Sequence, residues 1–173
     1  MSKIREAKLT GVNAATLVAG ARALGYKATD TSIDFKVTRG VFQILKTGKL
    51  QGDYDYLEKV AGVPMPKSIE ERPQAVIGVL AQAGTVARIA EHLTPQGWTV
   101  QANHANGTLT ALRGTEKIEV AADRKGQIKT EGHNFAGTSC NLVLDQFMGL
   151  LGSHTVTNET QKLEEQQVIR TVI

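Results

Sequence analysis

The sequence has one cysteine, few aromatic residues and no long apolar run, and each absence excludes a class of protein. Cys140 cannot form an internal disulfide, and it does not reach a recognised zinc-ligand spacing with His92, His104, His133 or His154. No run of about 18 apolar residues is present to cross a bilayer. The charged start MSKIREAKLTG lacks the apolar segment of a secretory signal. We therefore expect a cytoplasmic protein with no metal and no cofactor.

Catalytic signatures are also missing from the sequence. It contains no P-loop, no HExxH motif, no Ser-His-Asp ordering and no paired-carboxylate pattern. Aromatic residues make up 5% of the chain, too few for a stacking platform that binds single-stranded nucleic acid. What remains is a chain of 173 residues with 41% hydrophobic content, enough for one substantial domain or two small ones.

Positive charge is concentrated in the first 50 residues, which carry nine Lys or Arg against three Asp or Glu. Such a gradient favours a phosphate-rich partner, or it reflects a solvated surface opposed by acidic residues further along. The candidate contacts to phosphate or nucleic acid surround Phe35 and Phe42, and they are Lys36, Arg39, Lys46 and Lys49. The alternative is a solvated face over two core phenylalanines.

The first half of the chain predicts a strand, a helix and further strands. The segment KIREAKL at residues 3–9 is typical of a half-exposed strand. Asn13 is a good N-cap for a helix, and Gly25 is placed to stop it. Alternation of Ile33, Phe35 and Val37 predicts a strand. Residues 39–49 fit a short helix or a strand, and we favour the strand. The segment GVPMP at residues 62–66 breaks regular structure and is the best candidate for an internal linker.

The second half predicts one long helix followed by four strands. The helix begins near Pro73, continues to Leu93 and ends before Pro95 and Gly97. Strands then flank residues 106–107, where Asn-Gly favours a tight type I′ turn, and a second hairpin turns at residues 123–126. A strand over residues 154–159 and another over 168–173 follow a further helix. The fold class is therefore α+β, an antiparallel sheet with helices packed mainly on one face in two layers.

One stretch combines a glycine-bounded loop, a helix start and the single thiol: GHNFAGTSCNLVLDQFMGLLG, residues 132–152. Its candidate site residues are His133, Gly137, Ser139 and Cys140. A helix N-terminus can bind an anion or lower the pKa of a thiol. The other interpretation is a tight turn with a small buried residue, since Val143, Leu144 and Phe147 recur on the same helical face as Cys140.

Two parts of the chain resemble known families of unknown function. The segments KIREAKLTGVNAATLVAGARALGYKA and IAEHLTPQGWTVQANHANGTLTALRG, within residues 1–115, resemble the hypothetical chloroplast reading frame family numbered thirty-five, although residues 33–75 depart from that pattern. The segment EKIEVAADRKGQIKTEGHNFAGTSCNLVLDQFMGLLG resembles a short bacterial family with a G-x-x-C loop, matched here by Gly137 and Cys140. We therefore expect two units, residues 1–115 and 116–173.

The resemblance implies a small accessory protein that is sometimes encoded near AAA-type ATPases, and it implies no reaction or catalytic residues. We expect a non-enzymatic accessory or assembly protein that binds a protein partner or self-associates into an oligomer. Two other functions stay open. One is nucleic-acid binding through the basic N-terminal region, and the other is an enzyme that uses Cys140 as a nucleophile with His133 as its base.

Overall fold

The computed structural model describes residues 2–37, 40–135, 146–147 and 149–162. In this part of the chain there are two long helices, α1 (Ala14–Ala23) and α2 (Arg72–Leu93), and residues 146–147 and 149–151 are also helical. The strands are β1 (Ser2–Val12), β2 (Lys27–Ala28), β3 (Ser32–Asp34), β4 (Phe42–Ile44), β5 (Leu50–Gln51), β6 (Lys59–Val60), β7 (Val63–Pro64), β8 (Thr99–Asn103), β9 (Thr108–Arg113), β10 (Glu116–Ala122), β11 (Gln127–His133) and β12 (Gly152–Lys162). Short 3-10 helices lie at Tyr54–Tyr56, Ile69–Glu71 and Thr94–Gln96.

The largest element is a six-stranded antiparallel sheet with the strand order β12-β1-β11-β10-β9-β8. Its four consecutive strands β8 to β11 confirm the sequence prediction. Strand β1 lies between β11 and β12, with Ile4 opposite Glu131 on one side and opposite Thr160 on the other. The first strand of the chain is therefore paired on both sides by strands from the C-terminal third.

Helix α2 covers one face of this sheet and encloses the first hydrophobic core. Alternate residues of β9, β10 and β11 point toward the helix, as the period of two for a strand requires. Buried residues of this core include Val86, Ile89, Leu93, Leu109, Ala111, Ile118, Val120 and Ile128. The opposite sheet face carries polar residues that are half-buried or exposed, such as Thr110 and Glu119. This is the predicted two-layer α+β arrangement.

A second core lies under α1, the first half of α2 and two small sheets. These sheets are four-stranded, in the order β2-β3-β4-β5, and two-stranded, β6-β7. Four rings form a row of edge-to-face pairs with centroids 5.1, 5.2 and 4.9 Å apart: Tyr26, Phe35, Phe42 and Tyr54. Residues 42–44 are strand rather than helix, as we favoured, because Phe42 and Ile44 are buried while Gln43 between them is exposed.

Helices α1 and α2 cross at two glycines. A Cβ atom added at Gly20 would overlap the backbone carbonyl of Leu80, and one added at Gly84 would overlap the carbonyl of Thr16. Since backbone atoms cannot rotate away as side chains do, glycine at both positions permits this close approach. Asn13 caps α1 as predicted, because its Oδ1 accepts a hydrogen bond from the Thr16 backbone N–H at 2.9 Å.

The proposed linker at residues 62–66 is wrong. Strand β7 pairs with β6, so that Val60 lies opposite Val63, and Met65 is buried in the second core. Ala61 and Gly62 have φ values of 50° and 79°, as a type I′ turn requires. Pro64 has no backbone N–H to donate. It fits this hairpin because some backbone N–H groups of a two-stranded sheet point away from the partner strand and form no hydrogen bond with it.

The tight two-residue turn expected at residues 106–107 is also wrong. Asn103 lies opposite Thr108, so the connection has four residues, and the Asn103 carboxamide accepts from the Asn106 N–H at 3.0 Å. Gly107 has φ of 71°, and a Cβ there would meet the Ala122 carbonyl and the Gln82 side chain. The glycine is needed for its contact with α2 and β10 as well as for the turn.

No helix in the described part of the chain is both long enough and apolar enough to cross a membrane.

Candidate partner-binding cleft

An open cleft of about 710 Å³ lies between α1, the second half of α2 and the connection between β8 and β9. Alanines form half of its lining: Ala14, Ala15, Ala19 and Ala23 from α1, and Ala87 and Ala90 from α2. Ala15, Ala19 and Ala23 are four residues apart and therefore lie on one face of α1, and Ala14 lies beside Ala15 at the start of the helix. The opposite face of α1 contributes Leu17 and Ala21 to the second core. One short helix therefore serves the core and the cleft with different faces.

The cleft is bordered by charged and titratable side chains of both signs. Arg22, Asp30, Arg88, Glu91 and His104 lie around it. The Arg22 guanidinium is fixed in place, because its Nε and Nη2 donate to the Ala28 carbonyl at 3.1 and 2.8 Å. The cleft thus has an apolar floor of small residues and a polar rim, the pattern found in sites that bind another molecule.

A hydrogen-bond network fixes the end of the cleft at the N-terminus of α1. Arg88 Nη1 donates to Asn13 Oδ1 at 3.2 Å, to Thr16 Oγ1 at 3.3 Å and to the Leu150 carbonyl. Asn13 Nδ2 also donates to the Leu150 carbonyl, at 2.9 Å, and Thr16 Oγ1 donates to the Leu151 carbonyl at 3.1 Å. These two carbonyls end a helix and need donors from outside it. The network therefore joins α1, α2 and the helix that ends at Leu151.

The predicted phosphate contacts do not come together in one group. Lys36 follows β3, where its backbone N–H donates to Asp34 Oδ1 at 2.8 Å, whereas Lys46 and Lys49 lie on the turn between β4 and β5. Because β3 and β4 are antiparallel, these positions are at opposite ends of β4. Arg39 lies outside the described residues. The three described lysines are exposed, and Phe35 and Phe42 are buried, so these rings are not free to stack on bases.

Only part of the predicted loop site lies in the described residues. Gly137, Ser139 and Cys140 lie outside them. His133 is the last residue of β11, and its Nε2 lies 3.5 Å from Glu119 Oε2 and 3.7 Å from Glu131 Oε1. The proposed pairing of His133 with Cys140 therefore stays a prediction.

Sequence reasoning missed the cleft, although one signal was present. Ala15, Ala19 and Ala23 recur at i, i+4 and i+8, on the side of the helix away from its larger apolar residues. A surface of alanines is unusual on a helix that faces only water, where long polar residues serve solubility better. The second half of α2 gave no comparable signal, because Ala87 and Ala90, which line the cleft, stand among the apolar core residues of the same helix, such as Val86 and Ile89.

No protein family, curated protein or solved structure in the three comparisons matches this chain. The role of the cleft is therefore argued from its geometry.

Proposed function

We propose that the protein is a non-enzymatic accessory protein that binds a helix of a partner protein in the cleft between α1 and α2. The observation that supports this proposal is the cleft itself, an open space of about 710 Å³ over a floor of alanines. Small floor residues allow a second helix to approach closely, at the short end of the usual 8–10 Å between packed helices. Helix α1, with ten residues, is about 15 Å long and matches roughly three turns of a partner helix.

The rim supports a preference for one orientation of that partner. Arg22 and Arg88 carry positive charge, and Asp30 and Glu91 carry negative charge. Charges of both signs around an apolar floor fix the register of a bound helix and penalise wrong partners more than they add to affinity. We therefore expect a partner helix with small or apolar residues on one face and charges of both signs at the edges of that face.

The AAA-type ATPase that the family resemblance implies is the first partner to test. The purified ATPase is titrated against the wild-type chain and against Ala19→Arg, which places a long charged side chain on the cleft floor. The matched control is Gln74→Arg, which adds the same side chain at an exposed position on α2 about 20 Å along the helix from Ala87. Equilibrium dissociation constants are measured by biolayer interferometry.

Binding that Ala19→Arg weakens at least about tenfold, with Gln74→Arg unchanged, supports the proposal. Equal binding by all three proteins places the ATPase elsewhere and contradicts the role of the cleft. If the ATPase does not bind, a photo-crosslinking residue at position 19 and at position 74 identifies any other polypeptide that occupies the cleft. A partner crosslinked equally from both positions would also contradict the proposal.

Self-association is the second candidate, and the length of β12 favours it. Strand β12 has eleven residues and lies at the edge of the six-stranded sheet, where β1 is its one partner among the described strands. An edge strand presents a row of unpaired backbone groups to another chain. Two copies of β12 paired antiparallel about a two-fold axis would form a continuous sheet. Light scattering after size exclusion over a range of concentrations tests this, and a strict monomer at every concentration refutes it.

A further inference from the structure

A cluster of three side chains, all of types that can bind a metal ion, lies on the face of the six-stranded sheet opposite α2. Glu119 on β10 is directly opposite Glu131 on β11, and His133 is two residues further along β11. Since residues two apart on a strand share a face, the register places all three side chains on the same surface. One ligand atom from each lies within 4.8 Å of the other two. The three side chains are partly shielded, since 23% of the His133 and Glu131 side chains and 42% of the Glu119 side chain are exposed.

Two of the distances within the cluster are close to those between ligand atoms around a small divalent cation. Zinc binds imidazole nitrogen and carboxylate oxygen at about 2.0–2.2 Å in tetrahedral geometry, which sets neighbouring ligand atoms about 3.3–3.6 Å apart. His133 Nε2 is 3.5 Å from Glu119 Oε2 and 3.7 Å from Glu131 Oε1. The ligand atoms of the two carboxylates lie within 4.8 Å of each other, so a cation bound between the three side chains would draw the carboxylates toward itself.

Lys117 fixes the orientation of one of these carboxylates. Its Nζ lies 2.8 Å from Glu119 Oε1, so Glu119 presents its other oxygen, Oε2, to His133. The same hydrogen bond from Lys117 is the largest cause that lowers the pKa of Glu119. Neighbouring groups that orient a metal-binding side chain are a general feature of metal sites. In this arrangement Glu119 would bind a cation through one oxygen.

We propose that Glu119, Glu131 and His133 form a site for a divalent transition metal, with zinc as the preferred ion. One imidazole and two carboxylates suit zinc, whereas magnesium and calcium prefer oxygen ligands alone. Three protein ligands leave a fourth tetrahedral position for water or an exogenous ligand. The site lies on the sheet face opposite α2, so it is separate from the cleft proposed to bind a partner, and either proposal can fail without the other.

Metal titrations of the purified full chain test the site. Zinc affinity is measured by competition with a chromophoric chelator, and cobalt(II) is used as a spectroscopic probe because its tetrahedral complexes absorb strongly in the visible range. The variants are His133→Ala, Glu131→Gln and Glu119→Gln. The matched control on the same strand is Glu116→Gln, since Glu116 is paired with Arg113 at 3.1 Å and lies outside the cluster. His92→Gln controls for histidine content, and circular dichroism establishes that each variant is folded.

We expect one zinc ion per chain, tetrahedral cobalt absorption, and no competition from a large excess of magnesium. Loss of a group that only orients a metal ligand already weakens metal binding about tenfold or more. His133→Ala removes a ligand itself, so it should weaken zinc binding at least about tenfold. Each glutamine variant should weaken it as well, and both controls should bind as the wild type does. Absence of zinc binding, or binding that the three variants leave unchanged, would overturn the proposal.

Discussion

Replacement of Gly84 by alanine tests the close crossing of α1 and α2, because helix propensity and tertiary packing predict opposite signs. In an exposed helix interior, alanine is more stable than glycine by about 1 kcal/mol. In this fold the added Cβ would overlap the Thr16 carbonyl, which is backbone and cannot rotate away. Overpacking of this kind costs typically about 1–3 kcal/mol, and a contact with backbone belongs at the upper end of that range.

With a cost of about 3 kcal/mol and a gain of about 1 kcal/mol, we expect a net loss of about 2 kcal/mol. For a chain of 173 residues this lowers the melting temperature by about 4–8 °C. Urea denaturation followed by the fluorescence of Trp98, which is 3% exposed, measures the free energy of unfolding.

Gly149→Ala is the matched control. Gly149 is helical and exposed, and a Cβ added there meets no atom within 4 Å among the described residues outside its own helix backbone. Here propensity alone applies, so we expect a gain of up to about 1 kcal/mol. If Gly84→Ala were as stable as the wild type, or more stable, the helices would not cross at this glycine and the reasoning would be refuted.

Three further predictions concern Gln82, Tyr54 and Cys140. Gln82 is buried, and its Nε2 donates to the Ala122 carbonyl at 2.9 Å, so Gln82→Leu should cost about 1–3 kcal/mol in urea denaturation, whereas Gln101→Leu at an exposed position should cost little. Burial raises the pKa of Tyr54 from 10.0 to about 12. The unfolded chain then loses this proton first, so stability should fall between about pH 10 and about pH 12, and Tyr54→Phe should remove that part of the pH dependence. Cys140 lies outside the described residues; from its helical face we predict slow native-state labelling by a maleimide and a loss of about 1–3 kcal/mol for Cys140→Ser, and rapid labelling with an unchanged melting temperature would contradict this.

The elements of the fold were predictable wherever a local signal decided them. Asn13 caps a helix through its own side chain, and Pro73 fits a helix start. Gly97 adopts φ of 89° to end the short 3-10 helix that follows α2. These are interactions within a few residues, so the sequence contains all the information that they need. Alternation likewise predicted β9, β10 and β11, because each has one buried and one polar face.

The sequence predictions were wrong where one short sequence pattern is compatible with more than one local structure. Proline and glycine at residues 62–66 indicated a linker, yet they form a hairpin whose Met65 fills the second core. Asn106-Gly107 indicated a two-residue turn, but Gly107 is needed because α2 and β10 come so close to it. In both cases the deciding contact joins residues far apart in sequence.

The sequence by itself determined the α+β fold class and the approximate positions of the two long helices and of strands β1 and β8 to β12, because periodicity and capping act over a few residues. Only the tertiary structure decided that β1 pairs with both β11 and β12, that Gly20 and Gly84 bring α1 against α2, and that an alanine-lined cleft lies beside their crossing. Only strand register could bring Glu119 and His133 together. Pairing, crossing and register depend on contacts between distant residues, and no local pattern specifies which of many compatible partners a surface will meet.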